Sequence, residues 1–346
     1  MRVLFDLSAR TKASGRVREG LLPHLPRLAQ ERAWELTVLV APGAPPVGLA
    51  GVAQMEIPER SDVYLEEFWL PRKARSYDAL VTPREQLRLV GARPATVLQL
   101  HEHQQTRYAR LDSMRAALRG AHQQYRASAS YQSVDHICFS SGWTRDQFTV
   151  WEGRAPASAS VVHLSGWADD VASGLFQLEK DNTVLIMASS DPRDDLNWGL
   201  RAWEMARLPA PWTLVVVGDG PAVEGGDVRR VGRLSDEDLL HEMRAASAYL
   251  HIGRCEGFGL AVVEALQAGT PVIARGGSAV DELLARGGGG LVATAAEAAA
   301  ALQALALDPD RQSTSRQAHA AGTLFSWSST ARGLADGVRA AVEQRR

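Results

Sequence analysis

The stretch "RCEGFGLAVVEALQAGTPVIA", Arg254 to Ala274, bears most directly on the fold. It contains a glycine-rich turn, an apolar run of helical length, a glycine that ends this run and a strand-like segment, so it predicts a loop, a helix that starts near Leu260 and a strand. Glu256 precedes this helix and Glu264 lies about one turn inside it. The amides around Phe258–Leu260 would attract an anion, and Glu264 would offer two acceptor oxygens to vicinal hydroxyls such as those of a ribose. The alternative, an amphipathic helix with glutamates on its wet face, leaves the Gly-Phe-Gly turn unexplained.

On both sides of this stretch, strand-like runs alternate with helical patterns, which predicts parallel sheets covered on both faces. Strands are predicted over Val3–Leu7, Leu36–Val40, Ala79–Val81, Thr96–Leu100, His136–Phe139, Ser160–His163, Thr183–Ala188, Thr213–Val217, Tyr249–Ile252 and Pro271–Ala274. Helices are predicted over Val17–Gln30, Ser113–Arg126, Thr144–Val150, Asn197–Ala206, Asp236–Ala246, Ala261–Gln267, Ala295–Leu305 and Ser328–Val342. Ser235 and Asp238 resemble a capping box, and the four glycines at 287–290 are predicted to form a loop.

The predicted fold class is α/β, with two Rossmann-like, doubly wound parallel-sheet domains that face each other across a cleft. The N-terminal domain is expected to span residues 1–165 and the C-terminal domain residues 166–328. Residues 329–346 are expected to form a helix that packs back toward the first domain. A chain of 346 residues is long enough for two such domains.

Composition excludes several classes of protein. The net charge of −2 does not favour nucleic-acid binding. The two cysteines, Cys138 and Cys255, lack CxxC spacing, which argues against a zinc site or a disulfide framework. Neither a signal peptide nor a membrane-spanning run is apparent, so a cytoplasmic location is expected.

Two glycine motifs follow predicted strands. Gly15, in "ASGRVREGLL", stands at a strand-to-helix turn where backbone can approach a phosphate closely; a plain loop glycine is an equal alternative. "VVVGDGP", Val215 to Pro221, lacks the third glycine of a dinucleotide fingerprint, and a tight turn after a strand is the favoured interpretation.

Two polar motifs also follow strands. His101 and His103 have the i,i+2 spacing that suits a metal, but no further ligand cluster supports that reading, and a histidine in a surface loop is the alternative. The aspartates of "SSDPRDDLNWG", Ser189 to Gly199, suit either a metal or a helix N-cap, and we favour the cap.

The order of these motifs resembles that of the retaining glycosyltransferases of the GT-B fold, specifically family 4 (glycosyl transferases group 1). Glu256 and Glu264 match the Glu-x7-Glu motif of that family. "MRVLFDLS…SGRVREGLL", "VLQLHEH", "HICFSSGWTRDQF", "DPRDDL", "VVVGDGP", "RVGRLSDEDL", "GGSAVDEL" and "FSWSSTARGL" follow in the family's order, so the resemblance covers nearly the whole chain.

The resemblance implies an enzyme that moves a hexose-like sugar from a nucleotide diphosphate donor to a hydroxyl acceptor, a glycan, a lipid or a small metabolite, without a metal or another cofactor. It implies catalytic positions at His101, which would face the donor sugar, and at Glu256, which would lie near the sugar hydroxyls. It further implies donor-binding roles for Gly15 at the diphosphate, for Gly232 and Arg233 at the base, for the amides of Phe258, Gly259 and Leu260 at sugar and phosphate, and for Glu264 at the ribose.

The chain departs from the family at the positions that usually bind the diphosphate. Ala188 and Asp194 stand where the family commonly has an arginine and a lysine, and Gly253 replaces a usual serine. Arg193 is the first candidate for the missing cation, with Arg233 and Arg254 as further candidates; Arg193 could instead pair with Asp191 or Asp195 and only shape its loop.

These departures motivate an alternative function, a catalytically degenerate binding or scaffold subunit, although the retention of both glutamates and of His101 argues against it. A GT-B nucleotide-sugar epimerase, which would need no acceptor, is a weaker third option. The helical stretch with Arg115, Arg119 and Arg126 suggests a second location, a peripheral contact with anionic lipid at the inner membrane face. An ordinary solvated helix is the favoured interpretation of that stretch.

Overall fold

The computed structural model describes residues 1–9, 14–46, 48–89, 91–101, 114–174, 180–219 and 227–346; within these, the side chains of residue 14 and residues 114–121 are not described. The chain divides into two compact units. The first consists of Met1–Leu164 and Trp327–Arg346, and the second of Ser165–Ser326. The predicted boundaries lay one or two residues away, at 165 and 328.

The first unit is a seven-stranded parallel sheet in the order β3-β2-β1-β4-β5-β6-β7. Its strands are β1 Arg2–Asp6, β2 Glu35–Val40, β3 Val52–Glu56, β4 Ala79–Thr82, β5 Ala95–Leu100, β6 His136–Phe139 and β7 Ala159–Val161. Its helices are α1 Ser14–Leu21, α2 Leu25–Arg32, α3 Asp62–Tyr64, α4 Leu70–Ala74, α5 Met114–Tyr131, α6 Gly142–Glu152 and, from the end of the chain, α14 Trp327–Gln344. A 3-10 turn at Leu22–His24 joins α1 to α2, and a π-helical turn at Leu65–Trp69 joins α3 to α4.

The second unit is a six-stranded parallel sheet in the order β10-β9-β8-β11-β12-β13. Its strands are β8 Thr183–Ala188, β9 Thr213–Gly218, β10 Val228–Gly232, β11 Ala248–His251, β12 Val272–Arg275 and β13 Gly289–Val292. Its helices are α7 Asp169–Ser173, α8 Leu196–Ala206, α9 Asp236–Ala245, α10 Leu260–Gln267, α11 Ala279–Leu284, α12 Ala295–Ala306 and α13 Arg311–Gly322. The prediction of two Rossmann-like parallel-sheet domains is confirmed.

The central strands are buried because their side chains are apolar on both faces, as expected of a sheet covered by helices on each side. All four residues of β4, β6 and β11 are buried, for example, and β5 is buried along its six residues. The core of the second unit lies between β8, β9 and β11 and the helices α8 and α12.

Both strand orders place a switch point where a ligand can bind. In such sheets the loops that follow two neighbouring strands diverge to opposite sides, which leaves a crevice outside their carboxyl ends. In the first unit, β1 and β4 are these neighbours, and in the second unit they are β8 and β11. Four of the motifs singled out in the sequence follow β1 and β5 in the first unit and β8 and β11 in the second, whereas the Val215–Pro221 motif and the Gly232–Arg233 pair lie at the ends of β9 and β10.

One loop prediction is wrong. Gly289 and Gly290 begin β13, which pairs in parallel with β12. The reason is space, since a Cβ at Gly289 would overlap the carbonyl of Val272 in the neighbouring strand. Glycine is normally weak in strands, and here close packing of two backbones overrides that preference.

No helix in the described part of the chain combines the length and the apolar character that crossing a bilayer requires.

Candidate functional site

The loop and helix after β11 place both glutamates of the opening stretch. Gly259, with a φ of +98°, is the N-cap of α10, and its carbonyl accepts hydrogen bonds from the amides of Val262 and Val263. A left-handed φ favours glycine, so the conformation of Gly259 accounts for the Gly-Phe-Gly turn before α10. The helix begins at Leu260, as predicted.

Glu264 is buried rather than on a wet face. It is only 5% exposed, and a Cβ on Gly166 would approach its Cγ to 2.8 Å. The indole of Trp167 donates a hydrogen bond to its backbone carbonyl over 3.1 Å. The amphipathic-helix alternative is therefore wrong, because it places Glu264 on a solvent-exposed face of the helix. A buried carboxylate is costly unless a partner or a ligand satisfies it.

Glu256 lies in the loop before α10 with its side chain 29% exposed. Its carbonyl accepts a hydrogen bond from the amide of Ala279 at the start of α11. Between Glu256 and α10, the ring of Phe258 is buried and packs edge-on against Phe325, with centroids 6.0 Å apart. The turn that carries Glu256 is thus anchored at two points.

The loop after β8 runs against the loop after β11. The amide of Asp195 donates to the carbonyl of Ile252, the amide of Arg254 donates to the carbonyl of Arg193, and Asp194 and Gly253 form an isolated antiparallel bridge. The structure therefore brings Arg193 and Arg254 together beside the turn that leads to Glu256. This is the switch point of the second unit.

Charges in these two loops are arranged as pairs. Arg193 forms a bidentate ion pair with Asp191, with Nε to Oδ1 at 2.9 Å and one terminal nitrogen to Oδ2 at 2.8 Å. This ion pair is the alternative to a phosphate-binding role of Arg193, in which the arginine only shapes its loop. Asp194 accepts hydrogen bonds from the amide and the hydroxyl of Ser189, so its carboxylate orders the turn.

Asp195 is the N-cap of α8, and its side chain accepts a hydrogen bond from the amide of Trp198. The preference for a cap over a metal ligand in this motif is thus confirmed for Asp195. Two arginines also bind its Oδ2, Arg254 at 2.8 Å and Arg275 at 3.2 Å. Burial raises the pKa of Asp195, but the hydrogen bonds from Arg254, the Trp198 amide and Arg275 outweigh it and lower the pKa below its ordinary value.

Gly232 ends β10 and Arg233 follows it, away from this switch point. Gly232 has a φ of +67°, and Arg233 is largely exposed and pairs with Asp219 over 2.6 Å. Gly218, at the end of β9, has a φ of +101°, and a Cβ there would overlap the carbonyl of Ala188. Gly218 is thus required by its backbone conformation and by the close approach of Ala188. The tight turn predicted for the Val215–Pro221 motif would fall on Gly220, which lies outside the described residues.

In the first unit, the candidate residues lie at the carboxyl ends of β1, β4 and β5. A small cavity there is lined by Asp6, Leu7, Ala9, Val17, Pro83, Gln99 and His101. Within the described residues, Nδ1 of His101 and Nε2 of Gln99 are buried without a hydrogen-bond partner. Burial lowers the pKa of His101 to about 4, so its imidazole is neutral near pH 7 and can exchange hydrogen bonds with a hydroxyl.

Gly15 lies near the start of α1 and is exposed, and a Cβ there would meet no described atom within 4 Å. The space around it is compatible with a ligand. His103 lies outside the described residues. Among the residues that the structure describes, no group of three or more His, Cys, Asp or Glu side chains could hold a metal ion.

Arg126 does not face solvent, contrary to the lipid-contact interpretation. Its side chain is 11% exposed, and its guanidinium pairs with Glu66 and Glu67, each over 3.1 Å. The side chains of Arg115 and Arg119 are not described. The favoured solvated-helix reading also fails at Arg126, because this arginine ties α5 to the π-helical turn.

Sequence reasoning missed four polar residues near these loops: Gln99, His251, Gln267 and Arg275. Gln267 is fully buried and bonds the amide of Trp167, the hydroxyl of Ser165 and the carbonyl of Phe325. A polar residue inside or at the carboxyl end of a strongly apolar strand was the signal that could have found Gln99, His251 and Arg275.

Comparisons with known proteins found a matching family model and a matching relative. Residues 181–308 match the family model "Glycosyl transferases group 1". Over 133 residues the chain is 34% identical to the O-antigen chain mannosyltransferase B of Escherichia coli, a match that covers 37% of this chain and about a third, 32%, of the relative.

Solved structures of similar fold extend over nearly the whole chain. Anabaena HepE in complex with UDP-glucose aligns with a TM-score of 0.68 at 18% identity and covers 97% of this chain and 98% of its own. WaaG, a glycosyltransferase involved in lipopolysaccharide biosynthesis, aligns with a TM-score of 0.67 at 16% identity and covers 96% and 98%. These matches confirm the resemblance recognised in the sequence: residues 181–308 match the model of the glycosyl transferases group 1, and the chain has the fold of the solved glycosyltransferase structures of this kind.

Proposed function

We propose that this protein is a retaining, family 4-type hexosyltransferase that moves a hexose-like sugar from a nucleotide diphosphate donor to a hydroxyl acceptor. The observation that carries the proposal is the switch point of the second unit, where Glu256, the left-handed Gly259 turn and the start of α10 follow β11 and where Glu264 stands one turn inside the helix. Complexes of HepE with UDP and with UDP-glucose support a nucleotide sugar as the donor class.

The start of α10 suits the diphosphate. The first amides of a helix lack intrahelical acceptors and carry the positive end of the helix dipole, so they favour an anion. The backbone amides of Phe258, Gly259 and Leu260 are assigned to sugar and phosphate. Arg254 is 61% exposed, which leaves its side chain more open to a ligand than that of Arg193, which is 20% exposed.

Glu264 is assigned to the ribose hydroxyls and Glu256 to the hydroxyls of the donor sugar, since ionised carboxylates accept strong hydrogen bonds from hydroxyls. Gly232 and Arg233 are assigned to the base. In the first unit, Gly15 is assigned to the diphosphate and His101 to the donor sugar.

In the proposed reaction, the bond between the anomeric carbon and the diphosphate oxygen breaks, and the diphosphate leaves with the electron pair. The acceptor oxygen attacks the same face of the sugar and gives its proton to the leaving phosphate oxygen. Backbone amides and an arginine stabilise the charge that develops on the diphosphate. No protein nucleophile takes part.

The test is turnover with a panel of nucleotide sugars and hydroxyl acceptors, followed by product mass analysis and by the proton coupling at the anomeric carbon. We expect a product with the donor's anomeric configuration and a large loss of rate in Glu256→Gln, with no loss in the exposed control Glu237→Gln on α9. An inverted product would refute retention. Donor binding without turnover under any condition would favour the scaffold alternative, and a changed sugar without an acceptor would favour the epimerase.

We further propose that the reaction needs no metal and no cofactor other than the donor itself, because the charge of the leaving group can be met by amides and arginine. Turnover is expected to persist in excess EDTA. Activity that EDTA abolishes and Mg²⁺ or Mn²⁺ restores would contradict this.

The chain is proposed to act in the cytoplasm, with peripheral contact at the inner membrane face if its acceptor is a lipid. Co-sedimentation with anionic and with neutral vesicles would test that contact.

A further inference from the structure

A buried imidazole stands directly behind Glu256. Tyr249 and His251 are two positions apart in β11, so their side chains point to the same face of the sheet. Tyr249 is 1% exposed and His251 is 5% exposed. The phenolic oxygen of Tyr249 lies 3.2 Å from Nδ1 of His251, within hydrogen-bond distance.

The other ring nitrogen of His251 points toward the carboxylate of Glu256. The distance from Nε2 to Oε1 is 3.6 Å, slightly too long for a hydrogen bond. Nε2 is buried and has no hydrogen-bond partner among the described residues. A buried polar atom without a partner is costly, so such an atom in a native site calls for an explanation.

Gly253 makes this approach possible. A Cβ at this position would lie 2.6 Å from Nε2 of His251 and 2.9 Å from Oε1 of Glu256, so any side chain would separate the two groups. Gly253 is not among the glycines with positive φ. Its backbone conformation therefore does not require glycine, and the space between His251 and Glu256 does.

In the described part of the chain, the charged or titratable neighbours of the imidazole are Tyr249 on its own strand, Glu256 in the following loop and Arg275 at the end of β12. Burial, aided by the positive charge of Arg275, lowers the pKa of His251 to about 4. The ring is neutral near pH 7, so its contact with Glu256 is a neutral one and not an ion pair. A neutral imidazole carries one proton, and the group bonded to one nitrogen decides which nitrogen bears it.

We propose that His251 is a positioning residue for Glu256. The phenol of Tyr249 donates to Nδ1, which places the ring proton on Nε2, and Nε2–H donates to Oε1 of Glu256. The 3.6 Å distance shortens to a hydrogen bond when the donor is bound, as hydrogen bonds at catalytic sites commonly do. With Oε1 held in this way, Oε2 is presented to the hydroxyls of the donor sugar. This proposal rests on the proposed function through the role of Glu256.

The first experiment reads the proton position and does not depend on activity. In the full-length protein with 15N-labelled histidine rings, the signals of His251, assigned by their loss in His251→Leu, are expected to show a neutral ring with the proton on Nε2 at pH 7. Glu256→Gln is expected to shift the Nε2–H resonance. A ring protonated on Nδ1, or an Nε2–H signal unaffected by Glu256→Gln, would overturn the proposal whatever the enzyme does.

The second experiment separates positioning from packing. His251→Leu is expected to lower kcat for transfer or donor hydrolysis about ten- to a hundredfold, as loss of a hydrogen bond to a charged group does. Affinity for UDP or GDP, whichever the wild type binds by calorimetry, should stay within about twofold. His251→Gln should recover most of the rate, because its amide nitrogen can donate from nearly the same place, and Gly253→Ala should resemble His251→Leu.

A matched control is Leu250→Val, which perturbs the opposite face of the same strand and should leave kcat unchanged. Equal losses in His251→Gln and His251→Leu, or a loss of nucleotide affinity as large as the loss of kcat, would show a structural role only. A wild type that turns over none of the donors would refute the proposed function, and the ring spectra would still decide the geometry.

Discussion

The burial of Glu264 leads to a sharp prediction for the donor site. Its carboxylate is held in a helix whose residues from Val262 to Gln267 are all buried, so few conformations are open to it. If it binds the ribose, Glu264→Ala should weaken nucleotide-sugar affinity by roughly 1.5–3 kcal/mol, the usual worth of hydrogen bonds to a charged group. Calorimetry on the folded variant tests this, with Glu237→Ala on α9 as the exposed control. Unchanged affinity in a folded Glu264→Ala would remove it from the ribose site.

The ion pair between Arg193 and Asp191 makes the role of Arg193 decidable. If Arg193 serves the leaving diphosphate, Arg193→Ala should lower kcat/KM by about 10²-fold, as for other preorganised donors, whereas Asp191→Asn should retain most activity because the cation remains. If the pair only shapes the loop, both variants should lose activity and stability to the same extent. Arg254→Ala is the parallel measurement on the more exposed cation.

The pairings also limit what a restoring substitution can show. Asp194→Lys would bring back the lysine that the family resemblance implies, but it would remove the acceptor of two hydrogen bonds from Ser189. For this reason Asp191→Asn is the cleaner companion to Arg193→Ala.

Local patterns were enough to predict much of the second unit, and the reason is that its signals are backbone signals. The helix start at Leu260 and the cap at Ser235, whose hydroxyl oxygen accepts from the amide of Asp238, follow from turn and capping chemistry over a few residues. The roles of His251 and Arg275 could not be predicted from turn and capping chemistry. Their roles depend on contacts between β11, β12 and the loop after β8, which are far apart in sequence.

Strands with continuous apolar runs were predicted well, because burial on both faces leaves a strong pattern. His136–Phe139 and Thr183–Ala188 match the structure at both ends. The strands that escaped prediction are those on or near sheet edges, β3, β10 and β13, where half-exposed residues, arginines and glycines blur the pattern. Helices α3, α4, α7 and α11 were also missed, since each has six residues or fewer, and α13 was missed because it is mostly polar.

Two glycines of α1 provide a matched pair of substitutions. A Cβ at Gly20 would overlap the indole ring of Trp327, which is fully buried at the start of α14. Gly20→Ala should therefore destabilise the protein by about 1–3 kcal/mol through overpacking. A Cβ added at Gly15 would have no described atom within 4 Å. Gly15→Ala should therefore keep or slightly raise the stability of the protein, because alanine is the better helix former.

Urea unfolding measures both effects. If Gly15 approaches the diphosphate, Gly15→Ala should also weaken nucleotide-sugar binding while stability stays high. A Gly20→Ala variant as stable as the wild type would contradict the packing of α14 against α1. Normal donor binding by Gly15→Ala would leave Gly15 an ordinary residue of α1, which the structure places in a helix and not in the loop of the alternative interpretation.

The order of strands in the two sheets explains why the candidate residues cluster although they are scattered along the chain. Parallel strands all end at one edge, and the strand order decides which two loops diverge. Alternation of strands and helices predicts this edge, but only the pairing of β8 with β11 brings Arg193 beside Gly253 and the turn before Glu256. The return of the chain's last helix, α14, to the first unit likewise depends on contacts with β5 and β6 that no local pattern encodes.

Buried neutral histidines should make the protein sensitive to acid. His101 in the first unit and His251 in the second have pKa values lowered from 6.5 to about 4 by burial. Between these two pH values the unfolded chain binds protons that the folded chain does not. The neutral histidines therefore favour the folded state fully above pH 6.5, and the free energy of unfolding decreases as the pH falls toward 4. When the pH is lowered from 7 to 5, each histidine should lower the free energy of unfolding by about 2 kcal/mol.

Urea unfolding at pH 7 and pH 5 tests this in the wild type, in His251→Leu and in His241→Leu, whose histidine is exposed on α9. The leucine at position 251 cannot take up a proton, so that variant should lose about 2 kcal/mol less than the wild type when the pH is lowered. His241→Leu should follow the wild type. If all three proteins respond equally to pH, the pKa of His251 is not lowered in the folded state, and at pH 5 an ion pair would replace the neutral contact with Glu256 described above.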